Sequence, residues 1–232
     1  MFRKQEKKSF SITSRDAQSR ARTGILRTPH GVIKTPAYVI VATHGSVKAL
    51  KPSDIKKAGT QVVIANTYHL WDKVPKKFKI QNLKFKIKDS FLIRKLGVQL
   101  PTMTDSGGFQ LFSFGAAREQ GVGKVLQRKR LTVGEKSAVT ITEKGVSFFD
   151  GPDAQHRGSS TYGSRDKPRL LTPELSMKIQ ERIGADIIFA LDECTSPLHS
   201  FVHNKKALER TNRWAKRSLK FLKSKSMPLS FK

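Results

Sequence analysis

The chain has a single cysteine, Cys194, among its 232 residues, so it can close no disulfide within itself and can build no metal site from several thiolates. A lone cysteine is ordinarily a small buried apolar residue. Long apolar runs are also missing. Nothing approaches the length of a bilayer crossing, and the start, Met1-Phe-Arg-Lys-Gln-Glu-Lys-Lys, has basic residues without the apolar stretch of a secretory leader. A cytoplasmic location with no membrane partner is therefore expected. Acidic side chains are scarce as well: 18 Asp and Glu stand against 45 Lys and Arg, a formal net charge of +27. Such a surplus repels itself unless a polyanion is near, so nucleic acid is the first partner to consider, with a solubilising surface as the plainer alternative. The length suffices for one sizeable core, and an apolar content of 37% is ordinary for a folded domain.

What is present alternates between strand-like and helix-like pieces. Residues 1–34 read as a polar tail followed by an amino-terminal β-hairpin that turns at Pro29 to Gly31. Beyond Thr35, short continuous apolar runs at Pro36–Ala42, Gln61–Ala65, Pro101–Thr104 and Asp186–Leu191 predict buried strands. Helices are predicted between and after them: Lys51–Gly59 with Ser53 as cap, Phe91–Gly97, and Thr172–Gly184 with Thr172 as cap and Leu175, Ile179 and Ile183 on one face. A last helix, Asn204–Lys225, sets Leu208, Ala215, Leu219 and Leu222 on one side and carries Lys205, Arg213, Lys216, Lys220 and Lys223. Ala138–Phe149 predicts an inserted β-hairpin turning at Glu143-Lys144-Gly145. The lysine-rich pieces Lys76–Lys79 and Lys84–Lys88 suit a solvated edge strand, and 115–131 and 150–167 have loop composition.

Strand, helix, strand with buried apolar runs is the pattern of parallel β/α units. In such architectures ligands gather at the carboxyl ends of the strands, where the loops diverge over a rigid rim. The four predicted strands run into His44, Asn66, Asp105 and Asp192, which makes those residues candidates to converge. Periodicity does not separate a closed barrel from a doubly wound sheet.

The most telling stretch is Pro101-Thr-Met-Thr-Asp105-Ser-Gly-Gly-Phe109-Gln110. An apolar approach ends in a carboxylate, two glycines follow at once, and an aromatic and an amide come next. Gly107 and Gly108 leave room for a flat ligand against backbone N–H groups, and Phe109 is placed to stack on it. A plain turn is the alternative, with Asp105 and Ser106 bonding their own backbone and the glycines supplying positive φ.

Asp105-Ser-Gly-Gly-Phe-Gln110 resembles the signature of the tRNA-guanine transglycosylases, which exchange a guanine in tRNA for a 7-deazaguanine. Three more stretches match in the same order: Ala65-Asn66-Thr67-Tyr68-His69-Leu70, Leu171-Thr172-Pro173-Glu174, and Asp186-Ile-Ile-Phe-Ala-Leu-Asp192-Glu193-Cys194-Thr195. The resemblance runs from about Thr35 to about Lys220 and matches the amino-terminal part of the family pattern. It implies a modified (β/α)8 TIM barrel, of which residues 35–232 hold about the first four β/α units, ahead of the family's zinc-binding part.

The implied reaction is replacement of guanine by a base such as preQ1 or queuine at the tRNA wobble position, in queuosine biosynthesis. Carried over residue by residue, Asp105 matches the acid/base aspartate and Asp192 the aspartate that reads the purine edge. Phe109 matches the aromatic that sandwiches the base. Ser106, Gly107 and Gly108 line the pocket floor, Cys194 lies close to it, and Asn66 supports the acidic groups.

The nucleophilic aspartate, the glycine-rich base-binding loops and a zinc motif of three cysteines and a histidine are expected later than residue 232. His30, His44, His69, His156, His199 and His203 are scattered and, with one cysteine, make no zinc site. No cofactor is therefore expected in this chain. Half a barrel exposes two sheet edges and its apolar interior, so a homodimer partner or a complementing half is expected beside tRNA and the base. As an amino-terminal portion the chain should exchange little base alone. The rival readings are a non-catalytic tRNA-binding subunit or relative of the same family, and a sugar-directed barrel hydrolase using Asp105 and Asp192.

Overall fold

A computed structural model describes residues 9–75, 90–112, 139–148 and 168–224. The predicted lysine-rich edge strand and the loops at 115–131 and 150–167 lie outside the described residues. The chain divides into two compact units. The first contains the residues up to Asp105 and Lys178–Phe189; the second contains Ser106–Met177 and the residues from Ala190 to the end of the last helix.

In the first unit, β1 (Phe10–Arg15), β2 (Arg22–Thr28) and β3 (Gly31–Thr35) form an antiparallel sheet in that order. The expected hairpin is its β2–β3 half, turning at Pro29-His30, and a third strand pairs on the far side of β2. The second sheet is parallel throughout. Its members are β4 (Val39–Val41), β5 (Val62–Ala65), β6 (Thr102–Thr104) and, later in the chain, β10 (Ile187–Ile188), in the order β10-β6-β5-β4. Val62, Val63 and Ala65 are buried, as two-sided coverage of a parallel sheet demands.

Helix α1 (Pro52–Lys57) starts two residues earlier than Ser53 would allow as a cap, with Lys51 in the cap position. Pro52 takes the first helical position, where its missing N–H costs nothing, and the Asp54 carboxylate accepts from the Lys51 backbone N–H at 3.1 Å. After β5 comes the single turn α2 (Thr67–Leu70). Helix α3 (Phe91–Leu96) buries Leu92, Ile93 and Leu96, each worth about 1.5–3 kcal/mol when fully withdrawn from water. Its cap, Ser90, accepts from the Ile93 N–H at 3.3 Å and donates to the Gly184 carbonyl at 2.8 Å, which ties this helix to the end of the next one.

That next helix, α4 (Pro173–Ile183), opens as predicted, with Thr172 Oγ1 accepting from the Leu175 N–H at 3.1 Å. Its buried face is Ser176, Met177, Ile179, Gln180 and Ile183, while Leu175 is only half-buried.

The predicted strand over Asp186–Leu191 is a correction, since only Ile187 and Ile188 pair with β6. A buried side chain takes over where the ladder stops. Gln180 Oε1 accepts from the Phe189 N–H at 3.0 Å and Nε2 donates to the Phe189 carbonyl at 2.8 Å, so both backbone groups are satisfied without a strand partner. The same Oε1 accepts from Thr104 Oγ1 at 3.0 Å, and the chain leaves the sheet four residues before Asp192.

In the second unit, β7 (Val139–Thr142) and β8 (Gly145–Phe148) make the expected hairpin with Glu143-Lys144 at its turn. A further strand, β9 (Arg169–Leu171), pairs with β8, and sequence reasoning missed it. The last helix, α5, runs from Phe201 to Ser224.

The predicted apolar side of α5 is a second correction. Leu208 and Leu219 are 63% and 53% exposed, whereas Ala207, Trp214 and Ser218 are buried. Trp214 sets the rotation: its ring is fully buried and its Nε1–H donates to the Glu143 carbonyl at 3.0 Å. Arg217 binds the Glu174 carboxylate at 2.7 Å through both Nε and Nη2, fixing the same face. Among the described residues no helix is long and apolar enough to cross a membrane.

Candidate active site

In the first unit, the carboxyl ends of β5 and β6 lie side by side because the two strands are parallel neighbours with Ala65 opposite Thr104. Each is followed at once by a polar residue, Asn66 and Asp105. Asn66 Nδ2 donates to Asp105 Oδ2 at 2.7 Å, and the Thr67 backbone N–H donates to Oδ1 at 3.0 Å. Thr67 Oγ1 also donates to the Asp105 backbone carbonyl, which locks the peptide that carries the acid.

Asn66 does two jobs, since its own Oδ1 accepts from the His69 N–H at 3.1 Å and caps α2. The side chain is buried and bonded at both its nitrogen and its oxygen, so it cannot rotate away from Asp105 without breaking the cap. Asp105 itself is only half-buried. His44, beyond the end of β4, packs its ring 4.5 Å from that of His69. Burial, then the neighbouring His44 and Lys73, hold the His69 imidazole below its ordinary value, because each disfavours the charged ring.

In the second unit the focus is Asp192. Its Oδ1 accepts from Ser106 Oγ at 2.8 Å and its Oδ2 from the Cys194 thiol at 3.3 Å. Burial, then the Asp192 charge, push that thiol up to about 12, so Cys194 stands beside Asp192 as a neutral donor. Ser106 Oγ accepts in turn from the Gly108 N–H at 3.2 Å. Gly107 has φ +84°, the left-handed region that favours glycine.

The fold itself already requires a bare residue at Gly108. A Cβ there would stand 2.7 Å from the Asp192 carbonyl oxygen, so the close approach is between two parts of the chain itself. The described part of the segment that follows, residues 108–112, is helical. Phe109 is 61% exposed, leaving a ring face open, and Phe112 lies 6.5 Å from it, centroid to centroid. Next to Asp192 is a cleft of about 440 Å³ lined by Glu193, Ser196, Pro197, Asn204, Leu208 and Thr211 among others.

Comparison with known proteins matches these motifs to one family. The sequence model described as queuine tRNA-ribosyltransferase covers residues 16–231. The chain belongs to the queuine tRNA-ribosyltransferase family. Among curated relatives, a putative queuine tRNA-ribosyltransferase of Archaeoglobus fulgidus is 39% identical over 215 residues, covering 86% of this chain and 48% of that protein. A queuine tRNA-ribosyltransferase of Dictyoglomus turgidum is 34% identical over 94% of this chain and 46% of its own length. One from Staphylococcus aureus strain JH9 is 36% identical over 87% and 43%. The chain thus spans about half the length of the curated relatives it matches.

Membership gives the mixed α/β fold and its parallel sheet a family context. A family zinc motif of three cysteines and a histidine does not fit the residues present, because Cys194 is the one cysteine in the sequence. Among the described residues no group of three His, Cys, Asp or Glu could hold a metal ion.

Several residues that organise these sites escaped sequence reasoning. Thr67 had a usable signal, since it follows Asn66 directly and a strand-end Asn-Thr offers backbone and side-chain donors together. His30, paired with Asp186 at 2.7 Å, had none, being 156 positions away. The same holds for Glu193 and Arg210, whose ion pair joins a loop to a distant helix.

Proposed function

We propose that this chain carries the acid/base and purine-recognition residues of a tRNA-guanine transglycosylase, which replaces a guanine of tRNA by a 7-deazaguanine. The observation that carries the reading is the bond between Ser106, in the Asp-Ser-Gly-Gly-Phe-Gln motif, and Asp192, in the Asp-Glu-Cys-Thr motif. Two motifs separated by 86 positions are held together by it, and the residue before Ser106 is Asp105.

The exchange is a double displacement. A carboxylate attacks the ribose C1′, the C1′–N9 bond breaks, and its electron pair leaves with the guanine, which takes a proton. The incoming base then gives up a proton and displaces the carboxylate, restoring the glycosidic bond with retention. In this reading Asp105 supplies and recovers the proton, steered by the donors Asn66 and Thr67. Asp192 accepts from the N–H edge of the base, and Phe109 stacks on the base once it has left the anticodon stack. Ser106, Gly107 and Gly108 form the pocket floor, and Cys194 orients Asp192. The nucleophilic carboxylate belongs, by resemblance to the family, to sequence after residue 232. The parallel β10-β6-β5-β4 sheet is read as the first four strands of a (β/α)8 barrel, and the net charge of +27 suits tRNA as partner.

Incorporation of labelled guanine into tRNA tests this. Asp105→Asn in a protein that includes the nucleophile should lower exchange by about 10²–10⁴-fold, the range of a lost general acid. The 232-residue chain alone should give background incorporation. Near-normal exchange by the Asn variant would remove Asp105 from its role, and robust exchange by the chain alone would refute the placement of the nucleophile. A non-catalytic tRNA-binding relative, the second reading, requires salt-dependent tRNA binding without exchange even when the nucleophile is supplied.

A further inference from the structure

We propose that Arg210 is a positioning residue for Asp192, acting through Glu193. The proposal rests on the reading of Asp192 as the group that recognises the base. It starts from an oddity of burial: the Glu193 side chain is 3% exposed in a chain with few acids and many solvated bases. A carboxylate removed from water costs several kcal/mol unless it is paired and hydrogen-bonded.

The partner is Arg210 on α5, whose Nη1 donates to Glu193 Oε2. His203 Nε2 lies 4.0 Å from the other oxygen. The next residue of the helix, Thr211, accepts the Glu193 backbone N–H on Oγ1 at 3.0 Å. Two consecutive helix residues therefore hold one loop residue by its main chain and its side chain together.

This grip fixes the peptide bond between Asp192 and Glu193, and with it the direction in which the Asp192 carboxylate projects. Asp192 has two side-chain anchors of its own, a hydroxyl from Ser106 on one oxygen and a weakly donating thiol from Cys194 on the other. Cys194 is itself the residue after Glu193, so its thiol keeps its place only while Glu193 does.

Arg210 is in turn steadied from a second side. Its Nε donates to Glu143 Oε1 at 3.2 Å on the β7–β8 turn, and Arg213 binds the same carboxylate at 2.7 Å. A guanidinium shared by two carboxylates is set in one orientation, which an ammonium cannot reproduce in full. Loss of Arg210 leaves the Glu193 carboxylate buried without its cation. It then turns toward water and carries residues 192–194 with it. Misplacing a recognition group by about 1 Å can cost on the order of 10²-fold.

The test uses a protein that includes this chain, the base-binding loops and the nucleophile, carrying Arg210→Ala, Arg210→Lys, or the double change Glu193→Gln with Arg210→Met. Guanine and tRNA affinities are measured by calorimetry, and the Cys194 thiol is alkylated with iodoacetamide at pH 9. The thiol reports the local geometry without requiring any function, because burial and then Asp192 suppress it. Arg210→Ala should weaken guanine binding about tenfold or more, leave tRNA affinity within about twofold, and raise the alkylation rate about tenfold, as for a thiol released by one pKa unit.

Arg210→Lys should recover most of both effects. The double variant, which removes the buried charge, should fold normally yet keep the guanine defect. If Arg210→Ala leaves both guanine affinity and alkylation unchanged, the proposal is wrong. Full recovery of guanine binding in the double variant would also overturn it, since Arg210 would then only neutralise a buried charge. If the unmodified protein, with the nucleophile and base-binding loops present, binds no guanine but alkylation of Cys194 rises in Arg210→Ala, the positioning role stands and the assignment of Asp192 to the base falls.

Discussion

Two aspartates at opposite edges of the same parallel sheet show how one residue type is put to two uses. Asp186, at the amino end of β10, has a side chain with 0% exposure and is saturated: it accepts from His30 Nδ1 at 2.7 Å, the His30 N–H at 3.1 Å, the Thr102 N–H at 2.8 Å and Thr102 Oγ1 at 3.2 Å. It pins the first hairpin and β6 to the start of β10. Asp105, at the carboxyl end of β6, is held by Asn66 and the Thr67 N–H but stays half-buried, so its carboxylate is oriented without being sealed. The amino edge spends its acid on cohesion, and the carboxyl edge keeps one oriented and accessible. That division follows the general rule that loops after the carboxyl ends of parallel strands carry the chemistry.

The comparison is broken most severely if Asp105→Asn lowers stability as well as exchange. Alongside its loss of exchange, the variant should unfold within about 1 kcal/mol of the parent in urea, because the one bond it forfeits, from Asn66 or the Thr67 N–H, belongs to a half-exposed group that water can reach. The reverse holds for Asp186→Asn. It puts an amide N–H against donors that need an acceptor, and should cost about 3 kcal/mol in the same urea titration. Equal stability losses for the two variants would erase the distinction between the edges.

A third change sharpens the picture in the second unit. Gly108→Ala forces a Cβ against the Asp192 carbonyl and should cost about 1–3 kcal/mol while weakening guanine binding. Normal stability and normal binding would mean that the close approach has no role.

The smallest expected effect concerns Glu143, on the β7–β8 turn. Hydrogen bonds from Arg213 and then Arg210 hold its carboxyl down to about 2, against an ordinary value of 4.5. A depressed carboxyl contributes stability that is complete above its unfolded pKa and is lost as pH falls toward the folded one. Thermal unfolding of the parent and Glu143→Gln should therefore differ slightly at pH 7 and converge between pH 4.5 and about pH 2. Because the side chain is exposed, the difference should also shrink with added salt.

Much of the parallel sheet and of the helix starts was legible because the signals are local. Val62–Ala65 is continuously apolar and Asn66 breaks it; Thr102–Thr104 is followed by Asp105 and two glycines; Thr172-Pro173-Glu174 announces a helix by cap, proline and dipole. The misreadings have one cause in common. Nothing near Phe189 says that Gln180 will take its backbone bonds and end β10 early. Nothing within α5 says that Trp214 outweighs Leu208 and Leu219 in choosing the buried face, since that choice depends on the Glu143 carbonyl and the Glu174 carboxylate elsewhere.

By itself, then, the sequence determined which residue types stand at the ends of the strands, where the helices begin, and to which family the chain belongs, because each depends on neighbours a few positions apart. Only the tertiary structure decided which acids are sealed and which left open, and which distant side chains orient them. Those outcomes depend on burial and on hydrogen-bond partners brought together from 17 to 156 positions apart, as in Glu193 with Arg210 and His30 with Asp186. No local pattern encodes a partner at that range.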